Sequence, residues 1–166
     1  MPSDLSSESR RVAGWLLVLA GIQTFVTVGH FVYGAQLYDD ASREHVVLPA
    51  IVFLVLSVAL GGVYRWRPNR LALWLFGAEL AIVDVGLFGG FHGGFNHALK
   101  DILFLVGMDP GRLAQIFDSP DFVIPDNALF ELTGIAGLLV ALVITWLLVR
   151  LVRVEYRRRQ EATSCA

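Results

Sequence analysis

The sequence predicts an all-α membrane protein built as a bundle of four transmembrane helices. Of its 166 residues, 55% are hydrophobic and only 17% are charged, and the mean hydropathy is +0.62. A surface that faces water carries more charge than this composition supplies. Because the hydrocarbon core of a bilayer is about 30 Å thick, a spanning helix needs roughly 20 mostly apolar residues. Four stretches meet this requirement, at about 12–34, 46–64, 71–91 and 128–152.

The basic residues predict the orientation of this bundle. They lie near both termini and in the connection between the second and third spans, whereas the other two connections carry mostly Asp and Glu. Short loops rich in Lys and Arg stay in the cytoplasm, so we expect cytoplasmic N- and C-termini in a plasma or inner membrane. The expected partner is the lipid bilayer, and we expect no binding to nucleic acid. The basic residues concerned are Arg10, Arg11, Arg65, Arg67, Arg70, Arg150, Arg153, Arg157, Arg158 and Arg159.

The third span is longer than one membrane crossing. The sequence favours helix almost continuously over 71–106, and at about 1.5 Å per residue this exceeds the bilayer core. We therefore expect a third helix that is long or kinked at its glycines. Gly86, Gly90 and Gly94 recur every four residues, and such a ridge lets helices pack closely, including those of other membrane subunits.

The connection at 98–127 is predicted to be extracytoplasmic and to contain one short helix. Asp109-Pro110 suits a helix start, and apolar residues would then line one side of a helix at about 110–117. We interpret this segment as an interfacial helix that lies on the membrane surface or caps the bundle. The whole chain, 1–166, then forms a single membrane domain.

Two acids lie inside the third span. Glu79 falls near its middle and Asp84 slightly further outward, and a central acid costs about 2.5–3.5 kcal/mol to insert. Both should therefore face the bundle interior and be neutralised by protonation, a cation or a polar neighbour such as Ser57. Because ionisable residues inside a membrane usually mark function, Asp84 is a candidate acid/base or metal ligand. Glu131, one turn into the fourth span, is a second such candidate.

All four histidines fall in the half of the bundle predicted to be extracytoplasmic. His30 closes the first span, and His92 and His97 lie where the third helix leaves the membrane, whereas His45 is interpreted as an ordinary surface residue. On a helical wheel of about 100° per residue, His97 lies beside Asp101, and His92 lies on a different face. The candidate cofactor-binding residues are His30, His92 and His97, and the candidate metal ligands are His92, His97, Asp101, Asp84 and Glu131.

Three functions are compatible with these residues. A divalent metal suits a set of imidazoles and carboxylates, and two facing histidines would suit a haem. A small transport or accessory subunit would use Glu79 and Asp84 as a proton or ion relay. A cofactor-free membrane enzyme would act on a lipid or quinone through Asp84 or Glu131. The single Cys165 excludes an intramolecular disulfide, and no GxSxG motif supports a serine hydrolase.

Overall fold

The chain folds into helices alone over the residues that the structure, a computed structural model, describes. These are residues 2–117 and 124–164, so part of the predicted connection at 98–127 and the tail residue Cys165 lie outside them. Within these residues, four helices are long and apolar enough to cross a membrane, which confirms the prediction of an all-helical chain with four spans. These four spans are Ser6–Leu37, Ala41–Trp66, Arg70–Leu105 and Ala128–Glu161.

The helices follow one another with short connections. The third long helix, Arg70–Leu105, is continuous and contains three parts, the middle one of which is a π-helical segment. A short helix covers Pro110–Phe117, the range over which the sequence predicted one. In chain order the elements are α1 (Pro2–Leu37), a 3-10 turn (Ala41–Val46), α2 (Val47–Trp66), α3 (Arg70–Glu79), the π-helical segment (Leu80–Leu99), α4 (Lys100–Leu105), α5 (Pro110–Phe117) and α6 (Ala128–Ser164).

Local chemistry fixes where two of the long helices begin. The Asn69 side chain accepts a hydrogen bond from the backbone N–H of Ala72 at 2.8 Å, and Asn127 accepts one from Phe130 at 3.0 Å. Each asparagine thereby satisfies a backbone donor that the first turn of a helix leaves unpaired. The third long helix continues to Leu105, so the connection that was predicted to start at residue 98 starts after Leu105 instead.

The π-helical segment changes which residues share a face of the third long helix. Its backbone bonds join residues five apart, one more than in an α-helix. The buried positions accordingly recur every four or five residues, and they form a stripe that faces the bundle interior. That stripe consists of Glu79, Val83, Asp84, Phe88, Gly89, Gly93 and His97. Most π-helices are single turns, and they frequently occur at functional sites. The residues of a π-helical segment this long are therefore candidates for a functional site.

Small residues bring the π-helical segment against α6. A Cβ atom added to Gly89 would lie 2.0 Å from the Cβ atom of Ala141, and one added to Gly93 would lie 2.6 Å from the carbonyl oxygen of Gly134. Both distances are far shorter than van der Waals contact, so these positions require glycine. The two backbones approach here as in other small-residue membrane contacts.

The predicted ridge of Gly86, Gly90 and Gly94 lies beside this contact. Gly86 and Gly90 are exposed, and a Cβ atom on either would approach only a carbonyl oxygen of its own helix. Within the chain, the row of Gly89 and Gly93 forms the close packing instead. A contact of the predicted ridge with another subunit stays a prediction.

The two ends of the bundle differ in character. Toward the termini, the interior is an apolar core that includes Leu16, Leu80 and Ile144. Beyond it, Glu155 accepts hydrogen bonds from Ser9 and Tyr64, each at 2.6 Å, which joins the two terminal helices to α2. The opposite end, hereafter the polar end, buries a series of polar side chains. These are Gln23, Thr24, Thr27, His30, Ser57, Glu79, Asp84, His97, Lys100 and Glu131.

The glycine contact generates a stability prediction. Gly89→Ala should lower the free energy of unfolding by about 1–3 kcal/mol, because the added methyl group overlaps Ala141 and forces the helices apart. The measurement is denaturation by sodium dodecyl sulfate in mixed micelles, followed by circular dichroism. Gly77→Ala is the matched control, since a Cβ atom there meets nothing within 4 Å. Equal stability of the two variants would show that the contact does not hold the helices together.

Candidate metal centre

Three histidines converge inside the polar end of the bundle. The nitrogen atoms that His30, His92 and His97 offer as ligands all lie within 4.8 Å of one another. The ring centroids form a nearly equilateral triangle, with separations of 4.8 Å for His30 and His92, 4.7 Å for His30 and His97, and 4.9 Å for His92 and His97. His30 and His97 are buried, and His92 is partly buried.

The π-helical backbone is the reason that His92 and His97 meet. In an α-helix, residues five apart lie roughly 140° apart around the axis, at about 100° per residue. The wheel therefore separated these two residues, and that expectation was wrong. Bonds between residues five apart bring His92 and His97 onto one side of the helix, and His30 approaches from α1.

The hydrogen bonds of His30 assign its tautomer. Its Nδ1 atom lies 2.9 Å from the Thr133 hydroxyl oxygen. That hydroxyl donates its proton to a backbone carbonyl, with Leu129 at 3.0 Å and Phe130 at 2.9 Å. Thr133 must then accept from His30, so Nδ1 carries the proton and Nε2 carries the lone pair. Metal-binding histidines typically donate a hydrogen bond in this way from the ring nitrogen that does not bind the metal.

Glu131 accepts the corresponding hydrogen bond from Nδ1 of His97. Its Oε2 atom accepts from Nδ1 of His97 at 2.5 Å, while its Oε1 atom accepts from the ammonium of Lys100 at 2.6 Å. Lys100 is fully buried and also lies 3.6 Å from a carboxylate oxygen of Asp101. The carboxylate thus fixes the His97 ring, and the lysine neutralises that carboxylate. Position 134 must be glycine here, because a Cβ atom would lie 2.3 Å from the His97 ring.

The carboxylates that the sequence suggested as ligands occupy other places. Among the described residues, the group that converges contains His30, His92 and His97 but not Asp84, Asp101 or Glu131. Glu131 accepts a hydrogen bond from His97. Asp101, which the helical wheel placed beside His97, pairs with Lys100 instead. Asp84 is buried further along the π-helical segment, toward Glu79.

The remaining predicted residues also have clear positions. Glu79 accepts a hydrogen bond from Ser57, the polar neighbour expected for it. His45 is exposed in the 3-10 turn and contacts the backbone carbonyl of Ser42, outside the histidine group.

Two functional residues escaped the sequence reasoning. Lys100 received no role in the sequence analysis, because lysine is rarely buried unless it is paired and its partner Glu131 lies 31 residues away in the chain. Thr133 carried no signal, because a threonine in a transmembrane helix usually bonds its own backbone. Its relation to His30, 103 positions away, depends on the packing of α1 against α6.

Aromatic side chains enclose the three imidazoles. Phe130 stacks on His30 at 4.3 Å between ring centroids, and Phe31 lies 4.5 Å from His92. Tyr38 packs against Phe130 from the connection that follows α1, and burial raises its pKa to about 12, so it stays neutral. The Nε2 atom of His92 is buried and has no hydrogen-bond partner among the described residues. A buried polar atom without a partner is costly, and a bound ion would satisfy it.

Three converging imidazoles, two of them held by hydrogen bonds at Nδ1, suit a single transition-metal ion. Imidazole nitrogen binds zinc, copper, iron and nickel, and a set of three histidines leaves a fourth position for water or another ligand. The comparisons with protein-family models, with curated proteins and with solved structures found no match.

The buried ion pair generates a prediction about stability. Glu131→Gln and Lys100→Met should each lower the free energy of unfolding by about 3–5 kcal/mol, because each leaves its partner charged and buried. The double variant should lose less than the sum of the two, which a double-mutant cycle in mixed micelles measures.

An exposed ion pair provides the control for this cycle. Arg150 and Glu8 lie 2.7 Å apart, with side chains 47% and 36% exposed, so Arg150→Gln should cost less than about 1 kcal/mol. Additive losses in the Glu131 and Lys100 variants would contradict the assignment of a coupled pair.

Proposed function

We propose that this protein is a multi-pass membrane protein that binds one divalent transition-metal ion through His30, His92 and His97. The observation that carries the proposal is the convergence of three imidazole nitrogens within 4.8 Å. Two of the rings donate hydrogen bonds from Nδ1, His30 to Thr133 and His97 to Glu131, and this supports the proposal because it leaves Nε2 as the ligand atom in each.

A single ion fits this geometry better than a haem. The three imidazole rings contact one another directly, and Phe130 and Phe31 pack against them. A haem would need a wide, flat space between two axial histidines, whereas an ion needs only the space between the nitrogens. Zinc is the natural probe, since three histidines with one open position form a known class of zinc site.

The other two functions have less support. A relay through Glu79 and Asp84 would need polar groups along the whole bundle, and the apolar core around Leu16 and Ile144 fills the half beyond Glu79. A cofactor-free enzyme would use Asp84 or Glu131, but Glu131 already bonds His97 and Lys100. The histidine group supports metal binding more directly than either alternative.

Metal analysis of the purified protein tests the proposal. Protein in detergent, incubated with zinc and freed of excess ion, should retain about one zinc per chain in elemental analysis. His30→Ala, His92→Ala and His97→Ala should each lose it, because two histidines do not complete the site. Thr133→Val keeps the side-chain shape and should weaken zinc binding by about 10–100-fold without abolishing it.

His45→Ala is the matched control for the metal analysis, since His45 lies outside the converging group. It should bind zinc as the unmodified chain does. A folded protein without stoichiometric metal, or an equal loss in His45→Ala, would refute the proposed site.

We further propose that the termini lie in the cytoplasm and the histidine site at the opposite side of a plasma or inner membrane. Arg65 contacts the backbone of Arg10 at 2.8 Å, and Arg150 pairs with Glu8, so the basic segments gather at one end of the bundle. Basic segments of this kind are retained in the cytoplasm.

The native Cys165 allows a direct test of orientation. In intact cells, a membrane-impermeant maleimide should leave Cys165 unlabelled, and permeabilisation should make it reactive. In a Cys165→Ala background, Ser42→Cys at the exposed 3-10 turn should show the reverse and react in intact cells. Labelling of Cys165 in intact cells would invert the proposed orientation.

A further inference from the structure

A cavity of about 510 Å³ leads from the side of the bundle to the histidine group. It lies between α2 and the π-helical segment and beneath the 3-10 turn, and its volume falls within the usual range for small-ligand sites. Of the three converging histidines, His92 is the one that lines it. The cavity therefore approaches the proposed ion from the side of the partly buried ligand.

The cavity is polar at one end and apolar at the other. Arg43, His45, His92 and Asn96 line the part nearest the polar end of the bundle. Further toward the middle of the membrane, the walls are apolar and mostly aromatic, formed by Phe53, Leu87, Phe88 and Phe91. Leu87 and Phe91 are about half exposed, so this end opens toward lipid. Such a gradient matches an amphiphile that lies parallel to the membrane lipids.

The charges at the polar end favour an anionic head group. Arg43 lines this cavity together with Asp40 and His92, and its guanidinium lies 5.9 Å from the centroid of the Phe130 ring, which stacks on His30. Its charge is paired with Asp40 at 3.3 Å, and a hydrogen bond from Ser42 lowers the pKa of Asp40, which keeps that acid ionised. A divalent ion held by three neutral imidazoles would then add positive charge that the residues lining the cavity do not balance. A carboxylate would offset half of this charge and is itself a good zinc ligand.

We propose that this cavity binds a long-chain fatty acid, whose carboxylate takes the open position of the ion beside His92 and whose acyl chain lies along Phe53 and Phe91. The inference rests on the proposed function, because the carboxylate is held by the ion. Arg43 contributes a second, weaker contact to the same head group.

Competition binding tests this inference. The protein is placed in phosphatidylcholine nanodiscs at pH 8, with and without zinc, and 11-(dansylamino)undecanoic acid serves as the fluorescent probe. Palmitate should displace the probe, and removal of zinc should weaken palmitate binding by about tenfold or more, as expected for loss of one charged contact. Palmitamide, which has the same chain but an uncharged head, should compete at least tenfold more weakly than palmitate.

A pair of arginine variants separates the head-group contact from general charge. Arg43→Gln should weaken palmitate binding several-fold, whereas Arg67→Gln, at the other end of α2, should leave it unchanged. Stoichiometric zinc together with equal binding of palmitate and palmitamide, or with no effect of zinc removal, would overturn the fatty-acid site and leave the metal site standing. Absence of zinc in the same samples would instead overturn the proposed function, and this inference with it.

Discussion

The close contact between the π-helical segment and α6 is the constraint on which the polar end of this bundle depends. Gly89 and Gly93 allow the two backbones to meet, and Gly134 leaves the space that the His97 ring fills. With side chains at these positions, the helices would separate and Glu131 would no longer reach His97. Small residues in membrane helices usually serve packing alone. Here, the same glycines also set the distance between a histidine and the carboxylate that orients it.

The buried charges of the polar end are better explained by function than by stability. Burial of an ammonium and a carboxylate costs several kcal/mol for each ion, and their attraction rarely returns more than this. Apolar residues at positions 100 and 131 would pack inside a membrane at no such cost. The Lys100–Glu131 pair becomes useful when Glu131 must remain a carboxylate beside His97. The pair then helps to hold an imidazole ligand in place. The free-energy cost of burying its two charges is offset by the apolar core at the other end of the bundle.

The sequence predicts the fold well because membrane insertion depends on composition and length. The four spans, the short helix at 110–117 and the burial of Glu79 and Asp84 follow from hydropathy, Asp109-Pro110 and the cost of exposed acids. The site is harder to predict, because it depends on a backbone register that no residue pattern specifies. The helical wheel assumed about 100° per residue. With that assumption, His97 lies beside Asp101 and His92 lies on a different face, and a single change in hydrogen-bond register brings the two histidines together.

This register also links the ion to the backbone that would hold it. If the segment Leu80–Leu99 were an α-helix, His92 would rotate away from His97 and a three-histidine site would not exist. An ion that binds only the π-helical form stabilises that form by a free energy that grows with the logarithm of its concentration over its dissociation constant. Each metal–ligand contact would then favour an uncommon backbone that costs free energy in the empty chain. The glycine contact with α6 lowers the same cost, because a wider turn brings the backbones together only where side chains are absent. Packing and metal binding therefore favour the same register, and each makes the other easier to maintain.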